Sequence, residues 1–109
     1  MIKVYIASPY SKGDHATNVS RSIDCADKLI DEGFAPFNPL LYHFHHQLHP
    51  RPYEDWMMLD IEWLWFCDAL LRLPGESPGA DREVEYARDN SIPVFYSTEQ
   101  IKEYYNDLA

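Results

Sequence analysis

Cysteine is scarce in this sequence, and its two positions do not form a motif. The 109 residues contain only Cys25 and Cys67, with no CxxC spacing. Small domains held together by disulfides carry cysteine at much higher density, and zinc sites need closely spaced ligands. The sequence therefore predicts two buried thiols, both within helical stretches, in a reducing compartment.

Basic residues are also few. Nine Lys and Arg stand against eighteen Asp and Glu, which gives a formal net charge of −9. This charge opposes the attraction to phosphate backbones on which nucleic-acid binding depends, so no polymeric nucleic-acid partner is expected. A small anion is still compatible with the sequence, because backbone N–H groups at a helix start attract phosphate locally.

The sequence has no long apolar run. Its first residues, Met1 to Ile6, are too few for the apolar part of a signal peptide. No segment approaches the roughly 20 apolar residues that cross a bilayer. We therefore expect a soluble, cytoplasmic protein with no membrane partner.

Apolar residues make up 46% of the chain, which is enough for one core. Because 109 residues is close to the commonest domain size, we expect a single domain over residues 1–109. Strand-like and helix-like segments alternate along the sequence. That alternation predicts an α/β fold of the doubly wound, flavodoxin- or Rossmann-like kind, with a mostly parallel sheet of four to five strands and flanking helices.

The boundaries of the predicted elements follow from apolar periodicity and from Gly, Pro and capping residues. Strands are expected at 2–7, 68–73 and 92–96, with a weaker one at 34–37. Helices are expected at 14–32, 53–67 and 79–90, with a last one capped by Thr98. The segment 38–52 has no period and predicts a long loop.

Two carboxylates are predicted to flank the crevice beyond the strand ends, where open α/β sheets bind ligands. Glu83 falls in the first turns of a helix, beside small residues that leave room for a ligand. Asp60 lies in a strongly apolar helix, where desolvation would raise its pKa and suit it to proton transfer. Such a pair indicates glycosidic-bond chemistry, although both residues also fit solvated surface acids. Asp68 is expected to cap a turn.

Two turns that precede helices offer hydroxyl and backbone N–H groups to an anion. Their residues are Ser77 and Gly79 in one turn, and Ser8, Ser11, Lys12 and Gly13 in the other. Both turns are expected at the same end of the sheet, so together they would grip one phosphate. Each turn alone also fits ordinary turn composition.

Four of the five histidines lie in the predicted loop, at His43, His45, His46 and His49. The run suggests a metal, but it contains no Cys or carboxylate at ligand spacing, so we expect no metal and no cofactor. The histidine run fits better as part of a loop that either covers the substrate or is only exposed to solvent. His43 and His45, with Tyr53 and Trp56 beyond them, are possible contacts to a planar base, with core packing as the alternative for the aromatics.

Aromatic residues form 15% of the chain and include three Trp, more than so small a core needs. Large exposed apolar surface tends to be used in assembly. We therefore expect a homodimer or a higher homo-oligomer. Its interface is expected to include some of Trp63, Trp65, Tyr104 and Tyr105.

Three segments, taken in order, resemble the nucleoside 2-deoxyribosyltransferase superfamily, and most closely its small 2′-deoxynucleoside 5′-monophosphate N-glycosidases. They are Val4–Ser8, Asp60–Asp68 and Ser77–Ala87. The last is similar to the family's small-residue turn followed by Glu, three residues and Ala. The resemblance spans most of the chain and implies a small-molecule nucleotide or nucleoside as substrate.

The resemblance also implies a role for each matching residue. Glu83 would attack C1′ of the sugar and form a glycosyl-enzyme intermediate, Asp60 would assist departure of the base, and Tyr5 would orient Glu83. The residue six before the nucleophile is usually Asp in the transferases and Ser in the monophosphate hydrolases. Ser77 occupies that position and favours a 5′-monophosphate, because a hydroxyl can donate to phosphate.

The function expected from the sequence is hydrolysis of the N-glycosidic bond of a (deoxy)nucleoside 5′-monophosphate. Base exchange by a nucleoside deoxyribosyltransferase is a close alternative. A phosphoribohydrolase that releases cytokinin-like bases is another, suggested by Pro74-Gly75 and Gly79-x-x-x-Glu83. A non-catalytic nucleotide-binding or sensing module on the same fold is the third.

Overall fold

Four parallel strands form the sheet of this protein. A computed structural model describes residues 1–108 of the chain and the side chains of residues 1–106. The strand order is β2-β1-β3-β4, and each neighbouring pair is parallel. The strands are β1 (Lys3–Ala7), β2 (Ala35–Phe37), β3 (Ala69–Arg72) and β4 (Val94–Phe95). The predicted α/β fold with a parallel sheet is confirmed, although β4 is shorter than predicted.

The five helices in the described part of the chain are α1 (His15–Asp31), α2 (His43–Leu48), α3 (Tyr53–Leu64), α4 (Pro78–Asp89) and α5 (Thr98–Leu108). All but α2 begin and end close to the predicted positions. The predicted cap of α5 is wrong by one residue, because the Ser97 hydroxyl, and not that of Thr98, accepts from the backbone N–H of Gln100 at 3.1 Å. Within residues 1–108 there is no helix with the length and apolar character needed to cross a membrane.

The segment 38–52, predicted as a long loop, is mostly helical, so that prediction is wrong. A 3-10 turn at Pro39–Tyr42 leads directly into α2. The Asn38 side chain accepts from the backbone N–H of Leu40 at 3.1 Å and donates to the Ser22 hydroxyl at 2.9 Å, which anchors the turn to α1. The helix α2 has six residues and buries none of them, so it has no apolar period to detect.

The strand β1 directs its side chains alternately to the two faces of the sheet. Val4 and Ile6 join the core formed with α1 and α5. Tyr5 and Ala7 join the core formed with α3 and α4. All four side chains are fully buried. Tyr5 therefore enters the side of the sheet on which the helix of Asp60 and the helix of Glu83 pack.

The two crossover helices that follow the central strands lie on opposite faces of the sheet. After β1 the chain continues into α1 on one face, and after β3 it continues into α4 on the other. The loops that leave β1 and β3 consequently diverge and open a crevice at the carboxyl ends of these neighbouring strands. This is the position at which doubly wound folds bind ligands.

The two cysteines differ in their surroundings. Cys25 is buried in α1, as predicted. Cys67 is only half-buried and lies beyond the end of α3, so the prediction of a second buried helical thiol is wrong. Both are free thiols.

Candidate active site

A cavity of about 520 Å³ occupies the crevice beyond β1 and β3. It lies between the loop after β1, the segment from Pro39 to His46, the helix α3 and the start of α4. Ten of the residues predicted for the site line it: Ser8, Ser11, Lys12, His43, Tyr53, Trp56, Asp60, Ser77, Gly79 and Glu83. Residues separated by up to 75 positions in the sequence are thus brought to one cavity.

Three predicted site residues do not line the cavity. Tyr5 lies directly behind Glu83 in the core. Gly13, with a φ of +80°, shapes the loop after β1 without reaching the cavity. His45 is exposed because it lies two positions from His43 on α2, and residues two apart on a helix point to different sides.

The floor of the cavity holds Glu83 in a fixed orientation. Its side chain is only 5% exposed, and one carboxylate oxygen accepts a hydrogen bond from the hydroxyl of Tyr5. The Tyr5 ring stacks on Phe37 with 5.7 Å between ring centroids. Burial raises the pKa of Tyr5, and the charge of Glu83 raises it further, so Tyr5 remains a donor at neutral pH.

Asp60 and Glu83 form a coupled pair of carboxyl groups. Burial raises the pKa of Glu83 well above its ordinary value, and the charge of Asp60 raises it further. Burial also raises the pKa of Asp60, to about 6. The negative charge of Asp60 therefore disfavours ionisation of Glu83. The hydrogen bond from Tyr5 and the charge of Arg72 act the other way and favour the anion on Glu83.

Ser77 caps the helix that carries Glu83. Its hydroxyl oxygen accepts from the backbone N–H of Ala80 at 3.1 Å, and Pro78 occupies the first turn. Among the described residues the Ser77 hydroxyl donates to none, so its hydrogen is available to a ligand in the cavity. An added Cβ at Gly79 would lie 3.1 Å from the hydroxyl oxygen of Tyr53, so the Tyr53 side chain would have to shift slightly to admit it.

Arg72 holds the turn that presents Ser77, and the sequence reasoning did not single it out. Its nearly buried guanidinium donates to the carbonyls of Leu73 and Gly75, the latter at 2.8 Å, and to the Asp81 carboxylate at 2.9 Å. Gly75 adopts a φ of +120°, and an added Cβ there would lie 2.9 Å from the ring of Pro9. The detectable signal was a single Arg within an otherwise apolar strand.

The loop after β1 is tied to both neighbouring helices. The Asn18 side-chain amide on α1 donates to the carbonyls of Tyr10 at 3.2 Å and Lys12 at 2.7 Å. The Tyr10 hydroxyl lies 2.6 Å from Nδ1 of His43 on α2. Ser8 is buried, whereas Ser11 and Lys12 are exposed at the rim. The loop therefore places one cation and three residues with hydroxyl groups at the cavity: Lys12, Ser8, Tyr10 and Ser11.

The wall opposite Ser77 is aromatic. The Trp56 indole N–H donates to Nδ1 of His46 at 2.8 Å, and the Tyr42 ring packs on the indole with 5.3 Å between centroids. Tyr10, Tyr42 and Arg51 line the cavity but were not singled out from the sequence, and His46, which was noted only as part of the histidine run, lines it as well. Three of these four belong to the segment misassigned as a loop. The direction of their side chains could therefore not be inferred from the sequence.

The remaining site and assembly predictions concern metals and oligomers. Among residues 1–108 no three His, Cys, Asp or Glu side chains gather in an arrangement that could hold a metal ion.

Of the residues expected at a subunit interface, Trp63, Trp65 and Tyr104 are 47%, 58% and 44% exposed, and Tyr105 is half-buried. None of these four lines the cavity. Homo-oligomerisation stays a prediction.

A family model described as "Domain of unknown function (DUF7768)" matches residues 2–97 of the chain. A comparison with curated proteins finds no match. The matched residues include all four strands and the whole of the cavity lining.

Solved structures of 2-deoxyribosyltransferases share the fold. The enzyme from Bacillus psychrosaccharolyticus is 22% identical with a TM-score of 0.57, and the match covers 84% of this chain and 69% of that chain. The enzyme from Leishmania mexicana is 17% identical with a TM-score of 0.64, and the match covers 90% of this chain and 65% of that chain. At these identities the likeness concerns the fold.

Proposed function

This chain belongs to the DUF7768 family, and we propose that it breaks the N-glycosidic bond of a (deoxy)nucleoside or its 5′-monophosphate. The observation that carries the proposal is the arrangement of Tyr5, Glu83 and Asp60 at the floor of the cavity. A buried carboxyl group that accepts from a phenol, beside a second carboxyl group whose pKa is raised to about 6, suits glycosyl transfer through a covalent intermediate. The fold shared with 2-deoxyribosyltransferases agrees with this chemistry.

In the first step, a carboxylate oxygen of Glu83 bonds to C1′ of the sugar while the bond from C1′ to the base nitrogen breaks. The electron pair of that bond leaves with the base, and a proton passes from the Asp60 carboxyl group to the base. The Tyr5 hydrogen bond keeps the Glu83 anion oriented for attack. Free base and a glycosyl ester of Glu83 result.

In the second step, an acceptor replaces Glu83 at C1′. A water molecule or the ring nitrogen of a second base attacks C1′, its proton passes to the Asp60 carboxylate, and the ester bond to Glu83 breaks. Water gives hydrolysis, and a second base gives base exchange. Both outcomes regenerate the Glu83 carboxylate and the protonated Asp60 carboxyl group.

Different observations support the two outcomes. The likeness to the Bacillus and Leishmania 2-deoxyribosyltransferases supports base exchange. A 5′-monophosphate as substrate, and with it the hydrolase branch, is supported by Ser77 and Lys12. The hydroxyl hydrogen of Ser77 is free for a ligand beside the first turn of α4, and Lys12 contributes the positive charge of the loop after β1.

The test is a screen for released and exchanged base. The protein is incubated with ribo- and deoxyribonucleosides and their 5′-monophosphates, with and without a second free base, and the products are separated by chromatography. We expect free base from water alone, or a new nucleoside when a second base is present. Glu83→Ala should lower the rate by several orders of magnitude, because the covalent route is lost.

Glu85→Ala is the matched control, since Glu85 lies on the same helix and is exposed. It should keep the rate of the unchanged protein. Full activity in Glu83→Ala would contradict the covalent mechanism. Tight nucleotide binding by calorimetry without any released base would contradict catalysis and favour the non-catalytic nucleotide-binding module.

A further inference from the structure

The ring nitrogen Nδ1 of His46 accepts two hydrogen bonds. The indole N–H of Trp56 donates to it at 2.8 Å, and the backbone N–H of Arg51 donates at 3.3 Å. Neither group can accept a hydrogen bond, so Nδ1 must present its lone pair to both. In the neutral imidazole the proton is then on Nε2, which makes Nε2 a hydrogen-bond donor.

The surroundings of Trp56 keep this donor in place. The Tyr42 ring packs on the indole at 5.3 Å between centroids, and the His45 ring meets it edge-on at 5.2 Å. Trp56 and His46 are half-buried and both line the cavity, next to Tyr53. The ring that carries this N–H donor is therefore part of the cavity wall, beside the indole of Trp56.

We propose that His46 determines which base the site accepts, favouring bases with a carbonyl at purine C6 or pyrimidine C4 over bases with an amino group at that position. The inference rests on the proposed function, because it seats the base of that substrate against the aromatic wall. A carbonyl oxygen accepts from Nε2–H. An amino group would oppose one donor with another, so the two groups could not form a hydrogen bond to each other.

The tautomer is tested first, and independently of any ligand. Long-range ¹H–¹⁵N NMR of the labelled protein distinguishes a protonated ring nitrogen from one that carries a lone pair, and the spectrum of His46→Gln assigns the His46 signals. We expect the proton on Nε2. A proton on Nδ1 in the neutral ring would overturn the proposal.

The selectivity is tested by calorimetry in the Glu83→Gln background, which prevents turnover. The ligands are two matched pairs of 5′-monophosphates, deoxyinosine against deoxyadenosine and deoxyuridine against deoxycytidine. The carbonyl member of each pair should bind about tenfold more tightly or better, which corresponds to about 1.4 kcal/mol. His46→Gln should reduce this ratio to about one, because its amide can turn to present either a donor or an acceptor.

Two further variants complete the test. His46→Leu has neither donor nor acceptor and should also abolish the preference, which gives a second measurement if His46→Gln does not fold. His49→Gln is the matched control, because His49 is an exposed histidine outside the cavity lining, and it should keep the ratio of the Glu83→Gln protein.

The outcomes separate this inference from the proposed function. An unchanged ratio in both His46 variants, equal affinities in the Glu83→Gln protein, or no binding of any of the four nucleotides would overturn the role of His46. Release of base by the unaltered protein would still uphold the proposed function in those cases. Selective binding that depends on His46, without any base release, would support the role of His46 and contradict the catalytic proposal.

Discussion

The hydroxyl of Tyr5 donates a hydrogen bond to the carboxylate of Glu83 across the contact between β1 and α4. The two residues are 78 positions apart in the sequence and both are buried. The bond orients the carboxylate at the cavity floor and opposes the rise in its pKa that burial causes. The first prediction concerns this contact.

Tyr5→Phe should lower kcat by about 10- to 100-fold, since a hydrogen bond to a charged group is worth about 1.5–3 kcal/mol. It should also raise the pKa of Glu83, because the bond favours the carboxylate form. Attack requires the ionised form, so the acid limb of the pH–rate profile should move to higher pH. Tyr86→Phe is the control, and an unmoved acid limb in Tyr5→Phe would contradict this role.

Asp60→Asn should act on the rate and on the pH profile in a different way. Loss of the proton donor should lower kcat by about 10²- to 10⁴-fold. Removal of the neighbouring negative charge should lower the pKa of Glu83, so the acid limb should move to lower pH, opposite to its movement in Tyr5→Phe. Stopped-assay rates between pH 4 and pH 9 measure both effects. Movement of the two acid limbs in the same direction would contradict the coupling.

The same substitution should stabilise the fold near neutral pH. Burial raises the pKa of Asp60 from 3.8 to about 6, so the folded state binds more protons than the unfolded state between these values. The free energy of unfolding must then fall as the pH rises through this window. Asp60→Asn should make the free energy of unfolding depend less on pH in this window. At pH 7 it should raise the free energy of unfolding by on the order of 1–2 kcal/mol, which urea unfolding measures. Lower stability of the variant at pH 7 would contradict the buried carboxylate pair.

Arg72→Met should lower the free energy of unfolding by about 3 kcal/mol relative to the unaltered protein. The change removes the nearly buried guanidinium that donates to the carbonyls of Leu73 and Gly75 and to the Asp81 carboxylate. Arg82→Met is the matched control, because its ion pair with Glu54 on the surface adds little to stability. Since Arg72 holds the turn of Ser77, KM for a 5′-monophosphate should also rise in Arg72→Met. Equal stability of the two variants would contradict this role of Arg72.

Sedimentation at micromolar concentration should show a homodimer or a higher homo-oligomer, because large aromatic side chains of α3 and its C-terminal end are exposed. Trp65→Ser should weaken the assembly without changing the fold, since the Trp65 side chain is 58% exposed. Glu62→Gln, on an exposed residue nearby, serves as the control. A monomer at high micromolar concentration would contradict the prediction.

Much of the fold could be predicted because its signals are local. The buried strand at 69–72 is a short apolar run, and α1 was predicted from apolar residues at helical spacing, of which Val19 and Leu29 are buried while Ile23 and Ile30 are exposed. The segment 38–52 was misassigned because its short helix buries no side chain and therefore shows no apolar period. Without that helix, the side on which His46 lies could not be inferred. The aromatic wall of the cavity could not be inferred for the same reason.

The sequence by itself determined the alternation of strands and helices, the caps at Asp14 and Ser77, and the presence of acidic side chains near strand ends. These follow from interactions among residues a few positions apart. Only the tertiary structure decided that the charge of Asp60 raises the pKa of Glu83, that Tyr5 donates to Glu83, and that His46 reaches the cavity while His45 does not. These relationships depend on how helices pack across the sheet, and that packing sets which distant side chains meet and how strongly burial shifts their pKa values.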